Sequence, residues 1–206
     1  MDQSLADRLA IRDVVETWAI ARDSGDWAAF RETWHDDGYM MATWFQGPAE
    51  KFIKVSREGW ERGVSILHFL GGGRVTVAGD RAIAQTKMTI MQRGVAHDVL
   101  CDVACTGRFY DFFARRDGRW AIVLRQPIYE KDRIDPVDPA ASLPLAPGLL
   151  ETFPDGYRHL AYLQTQLGFA VKRDMPGLRG PEVERLYARG ADWLAGESAA
   201  PGPAAS

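Results

Sequence analysis

The sequence predicts an α+β fold in which helices pack on one face of a curved antiparallel sheet. Three observations carry that expectation. Apolar residues recur at helical spacing as far as Gly63. The period then falls to 2, in runs rich in β-branched and aromatic residues. Glycine-containing turns separate those runs.

The elements follow in order. Residues 4–22, "SLADRLAIRDVVETWAIAR", form a helix whose Ile11, Val14, Val15 and Trp18 share one buried face. "DSG" breaks it at Gly25, and "DWAAFRETW" (26–34) restarts a short helix with Asp26 near its positive end. "HDDG" reads as a turn and "YMMATWF" (39–45) as a first strand. "GPAEKFIKVSREGWERG" (47–63) is a helix with Pro48 in its first turn. The strands "SILHFL", "RVTVAG", "RAIAQTKMTIMQRG", "AHDVLCDVACTGRFYDFFARRDGRW" and "WAIVLRQPIYEKD" complete a meander, with turns expected at "GGG", "AGD" and "RDG". This first domain spans 1–134. From 135 the composition shifts to a proline-rich linker, "DPVDPAASLPLAPG", followed by amphipathic helical stretches at 156–169 and 181–196. The segment 135–196 is a helical extension, expected across the pocket mouth or on a neighbouring subunit. "ESAAPGPAAS" (197–206) reads as a disordered tail.

Composition narrows the functional classes. The chain of 206 residues has a net charge of -3 and a pI of about 5.8, without the basic balance of a nucleic-acid binder. No apolar run reaches the roughly 18 residues of a membrane span. The acidic, amphipathic N-terminus is unlike a secretory signal. Cys101 and Cys105 lie on one face of one strand and read as two buried thiols in a reducing cytoplasm. Neither C-x-x-C nor H-x-x-x-H occurs, so no metal set is expected, and "GGG" (71–73) lacks the lysine and helix of a phosphate loop.

Of the four histidines, His68 alone lies in a continuous apolar strand. Asp23 sits at the break between the first two helices. Helices closing over a concave sheet could aim Asp23 at His68, and a carboxylate on one imidazole nitrogen fixes the tautomer and strengthens the other nitrogen as a base. Asp23 could equally cap the second helix while His68 sits in the core. The residues alone leave both readings open.

A resemblance bears on the choice. "ARDSGDWAAF" (21–30), "LHFLGGGRV" (67–75), and "DGRW" (117–120) followed by "RQP" (125–127) resemble segments of the SnoaL-like branch of the nuclear transport factor 2-like superfamily. Scytalone dehydratase and hexachlorocyclohexane dehydrochlorinase are the similar members. The resemblance covers residues 1–134. It implies a cone-shaped, cystatin-like barrel with a central cavity, and it places the family's catalytic aspartate and histidine on Asp23 and His68. The chain also departs from those members. Ala42 stands at the dehydratase's pocket tyrosine, Gln92 near its second catalytic histidine and Phe109 near its pocket asparagine. Ala121 stands at the dehydrochlorinase's pocket arginine. Arg125, four residues further on, points to the same side by the period of 2, and is either an inward anion-binding group or an exposed strand-end residue.

By the same parity Met40, Ala42 and Trp44 share a face. Met40 and Trp44 suit an apolar, aromatic ligand, and Tyr39 or Tyr129 could hold a substrate oxygen. The expected function is a cofactor-free lyase or dehydratase on a small or dimeric aromatic compound, losing water or formaldehyde. Its catalytic residues are Asp23, His68 and Arg125; Tyr39, Met40, Trp44, Gln92 and Tyr129 bind substrate. A non-catalytic ligand-binding protein, or one like the small subunit of a ring dioxygenase, is the alternative. The resemblance and the open sheet together imply a homodimer or homotrimer.

Overall fold

The computed structural model describes residues 3–198. Helix α1 (Gln3–Ser24) and helix α2 (Trp27–Glu32) come first, and Asp26 caps α2 by accepting from the Ala29 amide at 3.0 Å. Strands β1 (Trp34–Met41) and β2 (Gln46–Pro48) precede helix α3 (Ala49–Glu61). Four long strands follow: β3 (Ser65–Ala78), β4 (Arg81–Ala96), β5 (Val99–Arg116) and β6 (Arg119–Pro136). The extension holds α4 (Pro147–Leu150), α5 (Arg158–Gln166) and α6 (Pro181–Ala195). No helix among the described residues is long and apolar enough to cross a membrane.

The six strands form one sheet in the order β2-β1-β6-β5-β4-β3. The expected α+β architecture is present. All neighbours are antiparallel except β1 and β6, which are parallel. Met40 of β1 and His68 of β3 line the same cavity, although four strand steps separate β1 from β3. A flat sheet would hold them roughly 19 Å apart at about 4.8 Å per step, so the sheet curls. Its inner face and α1, α2, α3 and α5 bury Trp18, Phe30, Phe52, Phe109 and Leu160 together. On the outer face, α6 lays Val183, Leu186 and Trp193 over Ile83, Tyr110, Phe112 and Leu124.

Several local expectations are corrected. The glycines at 71–73 make no turn. Strand β3 runs through them, and the pairing steps from Leu70↔Met88 to Gly73↔Thr86, so two glycines oppose Lys87 alone in a β-bulge. The β4–β5 turn falls on His97 and Asp98, with φ of 50° and 62°, and not on a glycine. These positive φ values match those of Asp117 and Gly118 in the expected β5–β6 hairpin turn. "HDDG" belongs to β1, where it bulges between Trp34↔Ile122 and Tyr39↔Leu124, and the strand ends at Met41 rather than at 45.

Strand β6 also breaks the period-2 inference for Arg125. Phe112 pairs with Leu124 and Phe113 with Ile122, so Val123 is an extra residue. Ala121 pairs with Ala114 on the outer face, whereas Arg125 pairs with Asp111 on the inner face. Arg125 does point inward, but not for the parity reason.

The expected linker begins within β6, which continues to Pro136. Of the expected tail, residues 199–206 lie outside the described residues, while the Glu197 carbonyl accepts a hydrogen bond from Arg81 at 2.5 Å.

Candidate functional site

The break between α1 and α2 leaves Asp23 as the penultimate residue of α1, facing β3. Its Oδ1 meets His68 Nδ1 at 2.8 Å, and its Oδ2 accepts the His68 backbone N–H at 2.5 Å. Both carboxylate oxygens are therefore spent on one residue, which fixes the ring and its tautomer together. The His68 side chain is 7% exposed and lines the inner cavity. Its Nε2 has no protein partner among the described residues. Trp18 meets the ring edge-on at 5.2 Å, and Phe109 lies 5.9 Å away. Burial pulls the imidazole below its usual value of 6.5; Asp23 opposes this through hydrogen bond and charge, and the positive charges of Arg22 and Arg125 add to it.

A second Asp/His pair has a similar geometry away from the inner cavity. Asp132 meets His159 Nδ1 at 2.9 Å and accepts the Leu160 amide at 2.7 Å. It joins β6 to the start of α5. The other histidines are also engaged: His35 Nε2 lies 2.9 Å from the Ala114 carbonyl, and His97 Nε2 lies 2.5 Å from the Tyr162 hydroxyl.

The inner cavity, of about 30 Å³, is lined by Trp18, Met40, Trp44, Phe52, Phe109 and Tyr129 among others. That is room for one or two waters. A larger chamber of about 310 Å³ adjoins it, and Arg22, Trp44, Ile66, Gln92 and Gln164 line both. The outer volume lies within the range of small-molecule sites.

The residues expected in the site divide as follows. Met40, Trp44, Gln92 and Tyr129 line the inner cavity with His68. Burial pushes the Tyr129 phenol well above its usual range, so it stays protonated beside Thr43. Tyr39 does not take part: it alternates with Met40 and packs toward Leu124 on the outer face. Arg125 does not line the cavity either. Asp111 holds it through paired bonds of 2.7 Å with both side chains wholly buried, and its guanidinium lies between Trp18 at 4.1 Å and Phe109 at 4.0 Å. Its carboxylate partner and the two rings hold it behind the wall, so a role in contacting substrate is withdrawn. Arg125 instead braces the two rings that flank His68.

Sequence reasoning missed three site residues. Gln164 of α5 accepts from Thr43 Oγ1 at 2.7 Å and donates to Gln92 Oε1 at 3.2 Å. This relay leaves the Gln92 amide N–H groups for the cavity. Thr43 lies beyond β1, and nothing local marks either residue. Arg22 is adjacent to Asp23, and its position beside a candidate acid was the available signal. The extension thus covers the cavity through Leu160 and Gln164.

The architecture and the Asp/His pair define a class: a curved α+β cone with a histidine in its cavity. Residues 3–126 match the SnoaL-like domain family, and the chain belongs to it. It is 34% identical over 207 residues to pea pathogenicity protein 2 of Fusarium vanettenii, covering 95% of this chain and 89% of that protein. Among solved structures, hexachlorocyclohexane dehydrochlorinase (LinA) Type2 is similar at a TM-score of 0.54 and 17% identity, covering 70% of this chain and 97% of that one. A scytalone dehydratase-like protein from Novosphingobium aromaticivorans is similar at a TM-score of 0.54 and 15% identity, with the same coverage. At such identities the likeness shows a shared fold.

Proposed function

We propose that the protein is a cofactor-independent lyase that eliminates a small leaving group from an aromatic compound. One observation carries this reading: a buried imidazole on a cavity wall has Nδ1 tied to a carboxylate and Nε2 left for a ligand. His68 Nε2 removes a proton from a substrate carbon. The electron pair left behind forms the new double bond, and hydroxide departs from the neighbouring carbon. The imidazolium, stabilised by Asp23, returns its proton to the departing oxygen, so water leaves. In the formaldehyde variant His68 Nε2 takes a hydroxyl proton, and the C–C bond to that hydroxymethyl carbon breaks to release formaldehyde. Its electron pair forms the new double bond, and hydroxide departs from the neighbouring carbon and takes the proton from the imidazolium. The outer chamber has the volume for an aromatic body, and its Trp44, Phe45 and Phe169 rings suit one, with Trp44 also lining the inner cavity beside His68. The fold is shared with a protein named as a dehydrochlorinase, which is also an elimination.

The test begins with a thermal-shift screen of small hydroxylated aromatics and phenolic dimers, followed by turnover of the hits. His68→Ala and Asp23→Asn are each expected to lose about 10² to 10⁴ in turnover, the contribution of a positioned base. Unchanged turnover in both variants would sink the reading.

A further inference from the structure

Arg22 is the cation the elimination scheme does not use. Its side chain is 5% exposed and stands where the inner and outer chambers meet. Its guanidinium makes no hydrogen bond to the protein among the described residues. Its one nearby anion is Asp23, 3.8 Å from Nη1, beyond hydrogen-bonding reach. Asp23 acts on it through charge alone at this distance, while its hydrogen bonds come from His68.

The contrast with Arg125 is direct. That wholly buried guanidinium has a carboxylate of its own in Asp111. A guanidinium carries five N–H donors in a planar fork, remains charged at neutral pH, and matches a carboxylate through two parallel bonds. A buried charge without such partners is costly, and a bound anion removes that cost. Around the junction lie Trp44, Phe45 and Phe169, with Trp44 and Phe169 5.3 Å apart. The other charged groups on the outer chamber are Glu58, 4.0 Å from Lys54, and Arg62.

The geometry points to Arg22 as the residue that selects substrate: the ligand is an aromatic carboxylate, its anionic end on Arg22 and its apolar body among the rings. The assignment rests on the reading of this cavity as a substrate site. It makes Arg22 a specificity residue that holds the substrate at a fixed place while the neighbouring Asp23 and His68 handle the proton.

Calorimetric titration of the full chain with trans-cinnamate and with its neutral isostere trans-cinnamamide reads the assignment. Cinnamate is expected to bind about ten-fold tighter or more, the factor brought by charge-assisted hydrogen bonds. Arg22→Met is expected to abolish that preference and Arg22→Lys to retain part of it. Equal affinity for the two probes, no binding of cinnamate, or a preference that survives in folded Arg22→Met overturns the assignment. Should Arg22→Met fail to fold, the wild-type comparison decides.

His68→Asn separates this assignment from the lyase reading, because asparagine keeps a side-chain N–H for Asp23 and lacks Nε2. It is expected to lose turnover and keep the cinnamate preference. Undiminished turnover in His68→Asn defeats the base and leaves the anion site standing. Turnover of neutral compounds by wild type without any cinnamate preference does the reverse.

Discussion

At the scale of single residues, the site depends on how one carboxylate is used. Asp23 accepts from His68 through both oxygens, which holds the ring's tautomer, and meets Arg22 only through charge at 3.8 Å, without a hydrogen bond. Burial favours the neutral imidazole, the form a general base needs. The pH dependence follows in sign. Protonation of His68 disables the base, so kcat/KM should be level near neutrality and fall on the acid side, with an apparent pKa below 6.5. Stability should follow the same direction. The unfolded state takes up the proton first as pH falls, so the stabilisation is present above the ordinary imidazole value and is lost as pH drops through the lower folded value. A pH–rate profile with an acid limb above 6.5 would contradict this. The Asp132–His159 pair shows that the same hydrogen-bond pattern also serves as a helix anchor; what sets His68 apart is a cavity at its free nitrogen.

At the scale of elements, bulges decide which side chains face the cavity. The bulge at Val123 brings Arg125 inward and sends Ala121 outward. The three glycines looked like a turn because glycine is the usual residue for positive φ. None of the three adopts positive φ; they let β3 bend past β4 instead. Position therefore matters more than residue type. A Cβ at Gly72 would meet nothing within 4 Å, so Gly72→Ala should leave stability nearly unchanged or raise it by about 0.4–1 kcal/mol. A Cβ at Gly107 would lie 2.0 Å from the Ile128 carbonyl oxygen, a backbone atom, at the second bulge of β5 and β6. Gly107→Ala should cost about 1–3 kcal/mol as overpacking. Urea unfolding of the two variants checks the pair, and equal stabilities would refute it.

At the scale of the whole molecule, the extension completes the cone. Helix α5 brings Leu160 and Gln164 to the cavity, and Gln164 joins Thr43 after β1 to Gln92 on β4. Gln164→Leu keeps the bulk but leaves the Thr43 hydroxyl and the Gln92 carbonyl without this partner. The expected cost is about 1–3 kcal/mol, seen as a lower urea midpoint at unchanged slope. An unchanged midpoint would mean that the relay carries no stability. On the opposite face, α6 covers only part of the sheet, and Leu67, Phe69, Met91 and Leu100 remain exposed.

How much of this was legible in the sequence differs between the fold and the site. The fold class was legible because periodicity is local: Ile11, Val15 and Trp18 recur at helical spacing, and the later strands alternate over long runs. The juxtaposition of Asp23 and His68 was legible only as one of two readings until a family resemblance was added, because 45 residues separate them and spacing does not encode a contact. Arg125 inward, Tyr39 outward, the glycine bulge, and Arg22 beside Asp23 without a hydrogen bond were settled by tertiary structure alone. Each depends on an extra residue in a strand or on which partner reaches a charge first. The sequence by itself determined which groups are available and which elements carry them. The curled sheet decided which of those groups meet, because burial and bulges set direction and distance between residues far apart in the chain.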